Sequence, residues 1–338
     1  MGMKKILVIQ TAFLGDVVLA TALIEKLQAR YPQAHLDFLV RKGNESLLQG
    51  HPFLHRVLIW NKKEGKYRSL WHLLRQIRQQ EYDLVLNLQR FGATGLLTTL
   101  SGARETRGFD KNPFSRFFTR RFPHEVASGR HEVARNHQLI ADCTDQQAAR
   151  PRLYPSRQDF DRVRPFKTNP YICIAPTSVW FTKQYPPEKW LALLDALPAH
   201  YQVYLLGSPA DSGLAQQLLQ ASRNARVENL CGQLSLLQSA ALMRDATLNY
   251  VNDSGPMHLA SALNAPTCAV YCSTVPQFGF GPLADFARVV EKEEPLYCRP
   301  CGLHGYKQCP QGHFKCALDI RREQLLAVLA MAEQAAAG

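Results

Sequence analysis

Short apolar runs alternate with stretches of 3.6-residue periodicity twice in this chain, once on either side of a proline-rich break, and little else that a chain can fold into shows that pattern. In the first half, residues 5–10, 35–40, 56–60 and 83–88 read as strands. Between them, residues 16–31 place Val17, Ala20, Leu23, Ile24 and Leu27 near one helical face, and 69–80 read as a second helix. Short buried strands separated by helices predict a parallel sheet covered on both faces. Residues 110–130 are basic, aromatic and broken by proline, so a loop over the sheet edge is expected there, with 131–144 helical again. Pro151, Pro155, Pro165 and Pro170 stand too close together for a regular element and predict a linker. The alternation then restarts, with strands at 171–175, 202–206, 225–230, 248–251 and 267–271 and a last helix at 321–336. The expected fold class is α/β: two Rossmann-like doubly wound domains facing a cleft, with boundaries at 1–155 and 156–320 and a C-terminal helix over 321–338.

Length and composition agree with that division. A chain of 338 residues suits two domains, and 46% hydrophobic with 20% charged residues excludes a disordered chain. No apolar run approaches a membrane span, and the apolar stretch after Lys4 and Lys5 is too short for a signal peptide, so a cytoplasmic location is expected. Nine cysteines, an odd count, with Cys173, Cys268 and Cys272 in expected core strands, also predict a reducing compartment. Charge is uneven. Residues 1–155 hold 24 Lys and Arg against 13 Asp and Glu, whereas 156–338 hold 16 against 15. The first half should therefore meet an anionic partner, and nucleic acid, an anionic membrane face and a phosphorylated glycolipid all meet that requirement.

Ligands of open α/β sheets bind beyond the C-terminal ends of the strands, so chemistry is expected at the turns that leave those ends. In the first half such a turn is Thr11-Ala12-Phe13-Leu14-Gly15-Asp16, with Gly15 expected in the tight turn. Asp16 suits either a helix cap or a general base for a hydroxyl nucleophile. In the second half, Asn252-Asp253-Ser254-Gly255-Pro256-Met257-His258 joins a strand to a helix. A hydroxyl and helix N-terminal amides at one point form an anion site suited to a diphosphate, with His258 one turn in; a plainly capped helix has the same pattern. Thr177 and Ser178 offer hydroxyls after the first strand of this half, and Lys183 offers a cation or is an ordinary solvated lysine. Asp211 suits either a nucleoside contact or a helix cap.

The tail carries Cys298-x-x-Cys301, Cys309 and Cys316, with His304 and His313 nearby. Metal binding by these four thiols is the alternative reading; a thiol-packed loop is preferred, because Cys309 and Cys316 are separated by six residues and a second Cys-x-x-Cys is missing.

Taken together, IQTAFLGDVVLATALIEKLQARYP, NDSGPMHLASAL and CRPCGLHGYKQCPQGHFKC resemble the heptosyltransferases of glycosyltransferase family nine, in the family's order and over nearly the whole chain, with the tail most similar to the second-heptose branch. The resemblance implies a GT-B architecture, an N-terminal acceptor-binding domain, a C-terminal nucleotide-sugar-binding domain and inverting transfer of heptose from ADP-heptose to the inner core of lipopolysaccharide. It implies that Asp16 is the catalytic base, that Asp253, Ser254, Gly255 and His258 form the nucleotide-sugar site, and that Lys183 meets the donor phosphates. Thr177, Ser178 and Asp211 are further donor-site candidates, although the loop SVWFTKQYP departs from the family's usual forms. Arg41, Arg90, Arg107, Lys111 and Arg120 are candidates to meet acceptor phosphate or carboxylate groups. The stretch 114–122 is suited to peripheral contact with the cytoplasmic face of the inner membrane. No paired Asp-x-Asp motif stands in a suitable loop, so no metal cofactor is expected. The alternatives are transfer of another nucleotide-activated sugar on the same fold and, from a different class, a basic nucleic-acid-binding protein with a zinc knuckle. Against the latter, no recognition helix or stacking motif accompanies the charge, so no nucleic acid is expected as partner.

Overall fold

The first strand, Lys5–Ile9 (β1), loses all solvent exposure after its first residue, as a central strand of a two-sided sheet must. It leads to helix Leu14–Arg30 (α1), strands His35–Arg41 (β2) and Leu54–Trp60 (β3), helix Lys66–Gln80 (α2) and strand Leu84–Asn87 (β4). Helix Gly92–Thr99 (α3), strands Glu105–Phe109 (β5) and Arg120–Phe122 (β6), and helix Glu132–His137 (α4) complete the unit Met1–Tyr154. The computed structural model describes residues 3–62 and 65–337. All strand pairs of this unit are parallel, in the order β3-β2-β1-β4-β5-β6.

The unit Pro155–Gly338 repeats the plan. Helix Arg157–Val163 (α5) precedes strand Tyr171–Ala175 (β7), helix Pro187–Leu194 (α6), strand Gln202–Leu205 (β8), helix Ser212–Ala221 (α7) and strand Val227–Asn229 (β9). Then follow helix Leu236–Arg244 (α8), strand Leu248–Asn252 (β10), helix Gly255–Ala262 (α9), strands Thr267–Tyr271 (β11) and Ala287–Glu291 (β12), and helices Lys315–Leu318 (α10) and Arg322–Ala337 (α11). The parallel order β12-β11-β10-β7-β8-β9 is the first sheet's order renumbered. In both sheets the order reverses beside the first strand, between β1 and β4 and between β7 and β10, and it is at such switch points that open α/β sheets bind their ligands. Among the described residues, no helix is long and apolar enough to cross a membrane.

Four expectations need correction. Residues 110–130 are not all loop, because Arg120–Phe122 pairs with β5 and closes the sheet. The proline region holds α5, which fits between Pro155 and Pro165 and starts on a Ser156–Asp159 capping box. The helix expected over 131–144 stops at His137; the Leu139 carbonyl takes a hydrogen bond from Arg107 (2.7 Å), and turns follow. Gly15 lies inside the first turn of α1 rather than in the connection before it.

The rim above β4 and β5 depends on one missing side chain. Asn112 donates to the carbonyls of Gln89 (2.8 Å) and Phe91 (3.1 Å) and accepts from the Phe114 amide (3.0 Å). A Cβ at Gly95 would stand 2.1 Å from its Oδ1. Gly95→Ala is therefore expected to destabilise the chain by about 2–3 kcal/mol, outweighing the better helix propensity of alanine, as read by chemical denaturation.

Candidate active site

Above the first switch point, the segment after β1 is held by amide side chains. Gln10 accepts from the Ala12 amide (3.2 Å) and from the Gln89 side chain, Asn44 donates to the Ala12 carbonyl (3.1 Å), and Lys62 donates to the Thr11 carbonyl (3.0 Å). None of these four side chains was legible as a site residue, because each comes from a different loop. Asp16 follows in the first turn of α1 and accepts a hydrogen bond from the Phe13 amide (3.2 Å). It is thus a cap, as one reading expected, but its carboxyl is also raised to about 6, mainly by burial and next by the nearby Glu132 carboxylate. Glu132 is itself paired with Arg135 (2.7 Å). A carboxylate that titrates near neutrality at a switch point has the proton affinity a general base needs.

The five basic acceptor candidates separate into two groups. Arg41, at the end of β2, stands over the exposed Phe13 ring (4.9 Å) and lowers the Asp16 pKa slightly. Arg90 and Lys111 are exposed just beyond β4 and β5, Arg90 over the Phe91 ring (5.6 Å). Arg107, in contrast, is a correction. Its side chain is only 3% exposed and binds Glu105 (2.7 Å), Asp142 (2.6 Å) and the Leu139 carbonyl, so it serves the fold. Arg120 shares Asp142 with it and belongs to the same internal network, although it is half-exposed.

At the second switch point, Lys183 and Asp253 meet at 2.7 Å, both largely buried. Asp253 also accepts from the Thr274 hydroxyl (2.6 Å), a partner the sequence did not single out. The Asp253 carboxylate is thus engaged by the lysine ammonium and the Thr274 hydroxyl. Asn252 ties the two sides together: it donates to the carbonyls of Ala175 (3.4 Å) and Thr177 (3.3 Å) and accepts from the Tyr185 amide (2.9 Å). Ser254 stands at the N-cap position before α9 but makes no side-chain cap, its hydroxyl instead donating to the Asn252 carbonyl (3.3 Å). A helix start uncapped by its own side chain, next to an oriented ammonium, is suited to an anion. Gly255 is the first residue of this helix, His258 is buried within its first turn, and Thr177 and Ser178 are partly exposed on the facing loop. Asp211 accepts from the Ser208 amide (2.7 Å) and hydroxyl (2.6 Å) and so is seen here as a cap.

In the tail all four cysteines carry free thiols, like the other five. Cys298 Sγ lies 3.8 Å from His313 Nε2, and Cys301 donates to the Cys298 carbonyl (3.2 Å). Among the described residues, no three His, Cys, Asp or Glu side chains converge as a metal site would require.

The family model of glycosyltransferase family 9 (heptosyltransferase) matches residues 70–307. Lipopolysaccharide heptosyltransferase 1 of Pseudomonas aeruginosa is 27% identical, over 95% of this chain and 93% of its own length. Lipopolysaccharide heptosyltransferase 2 of Escherichia coli is 26% identical, over 95% and 96%. The solved structure of E. coli ADP-heptose lps heptosyltransferase II superposes with a TM-score of 0.80 at 26% identity, covering 97% of this chain and 99% of that one.

Proposed function

The chain belongs to glycosyltransferase family 9, and on that premise we propose that it transfers heptose from ADP-heptose to the inner core of lipopolysaccharide with inversion at the anomeric carbon. The relatives that match along nearly the whole chain are named as lipopolysaccharide heptosyltransferases, and one solved structure carries ADP-heptose in its name. Membership displaces the nucleic-acid reading. The observation that carries the donor assignment is the Lys183–Asp253 pair at the β7/β10 switch point, beside the uncapped start of α9.

In this reading the donor diphosphate lies against the Lys183 ammonium and the first amides of α9. As the bond from the anomeric carbon to the diphosphate lengthens, negative charge grows on the leaving oxygen, and a preset ammonium and fixed amide dipoles stabilise it. Because protein groups supply that positive charge, the reaction is proposed to need no divalent cation. The acceptor hydroxyl attacks from the opposite face and gives its proton to Asp16. Arg41, Arg90 and Lys111 are proposed to meet anionic groups of the acceptor. Phe117, exposed beneath Arg116 (4.7 Å), is proposed to rest on an anionic membrane surface.

Calorimetric titration with ADP, UDP, GDP and CMP tests the donor. Binding of ADP at least tenfold tighter than the others is expected. Preference for UDP or GDP would overturn the heptose donor and retain the transferase class.

A further inference from the structure

Past β12 the chain returns across the loop that carries Lys183. Thr182, buried at 1% exposure, is the centre of the contact. Its Oγ1 accepts from the Ser273 hydroxyl (3.0 Å) and the Tyr306 amide (2.8 Å), and its own N–H donates to the Tyr306 carbonyl (3.1 Å). Two further bonds fasten the returning segment: the Cys301 amide donates to the Ser273 carbonyl (2.8 Å), and Arg299 donates to the Thr274 carbonyl (2.7 Å). Ser273 and Thr274 thus hold Thr182 and Lys183 in register, the first pair directly and the second through Asp253. Gly305 closes the arrangement. Its φ of +77° suits glycine, and a Cβ there would stand 2.8 Å from Thr182 Oγ1 and 3.1 Å from Lys183 Cγ.

We propose that residues 299–306 form a clamp that presets the Lys183 ammonium for a diphosphate, with Thr182 as its anchor. Thr182 is a positioning residue, and the proposal rests on the reading of Lys183 as the donor-phosphate ligand. The physical argument is entropic. A lysine side chain free in solution must lose its rotamer freedom when it grips a phosphate, and that loss subtracts from affinity. Here the stem of Lys183 is packed against Gly305 and its head is held by Asp253 before any ligand arrives, so the loss is met on folding. The same construction gives the cysteine-rich tail a role without a metal: it carries the backbone of Tyr306 and Gly305 to the site.

The test is titration of ADP and of adenosine into the full chain. Thr182→Val keeps the side-chain shape and removes the acceptor of two hydrogen bonds. It is expected to weaken ADP binding about tenfold and to leave adenosine within about twofold, since only the phosphates meet Lys183. Thr182→Ser is expected to restore ADP binding, and Thr182→Val added to Lys183→Ala is expected to cost nothing further. If Thr182→Val does not fold, Ser273→Ala, which spares the Tyr306 bond, carries the same test with an expected threefold weakening. Equal loss of ADP and adenosine, or wild-type ADP binding by Thr182→Val while Lys183→Ala binds poorly, overturns the clamp alone. Unweakened ADP binding by Lys183→Ala, or none by the wild type, overturns the donor reading and the clamp with it.

Discussion

Asp16→Asn is expected to lower the transfer rate at least about a thousandfold while leaving ADP affinity unchanged. Asparagine keeps an oxygen that accepts from the Phe13 amide, so the start of α1 survives, but it cannot take a proton. The folded chain adds a second, independent signature. Asp16 titrates at about 6 in the native state against 3.8 in the unfolded chain, so the native state holds the proton more tightly between those values. Stability therefore falls as pH rises from about 4 to about 6, and the deficit, on the order of 2 kcal/mol, persists above. Asp16→Asn removes the deficit and should melt at the same or a higher temperature than the wild type at pH 7. Wild-type kcat/KM should rise with pH through about 6, as the carboxylate forms. A variant that keeps more than about a tenth of the activity would remove Asp16 from the chemistry.

Lys183→Met is expected to lower kcat/KM by about a hundredfold or more and to weaken ADP binding by at least tenfold. It also leaves the Asp253 carboxylate buried with Thr274 as its remaining partner in the pair's network, which costs about 3–5 kcal/mol of stability. The double variant Lys183→Met with Asp253→Asn separates the two effects. Removing the stranded charge should recover most of the stability and none of the ADP affinity. If ADP binding returns as well, Lys183 serves only to neutralise Asp253, and the phosphate role fails.

The turns that sit at both switch points were legible because the strand–turn–helix pattern places residues 11–16 and 253–258 beyond the ends of β1 and β10 by chain order alone. The roles of individual residues at those places were less legible. Asp253 reads as a ligand beside Ser254, yet its carboxylate turns toward Lys183 and Thr274, each brought from another strand end. Arg107 reads as one more cation in a basic half, yet Glu105, Asp142 and the Leu139 carbonyl enclose it. Charge along the chain says how many cations there are; only packing decides which of them face water.

The strands β5 and β12 are not legible in the sequence, for a related reason. Glu105-Thr106-Arg107-Gly108-Phe109 and Ala287-Arg288-Val289-Val290-Glu291 lack a continuous apolar run, and their extended form is secured by ladder bonds to β4 and β11 rather than by their own pattern. What this sequence determined by itself was local: where most apolar segments of strand length stand, where the helices after β1 and β10 start, and therefore two doubly wound sheets with a glycosyltransferase's motifs beyond those two strands. What only the tertiary structure decided was which distant side chains share a proton or a charge: the burial that lifts Asp16, the pairing of Lys183 with Asp253, and the return of Gly305 onto Thr182. Burial and pairing depend on atoms far apart in the chain, and their energies exist only once folding has brought those atoms together.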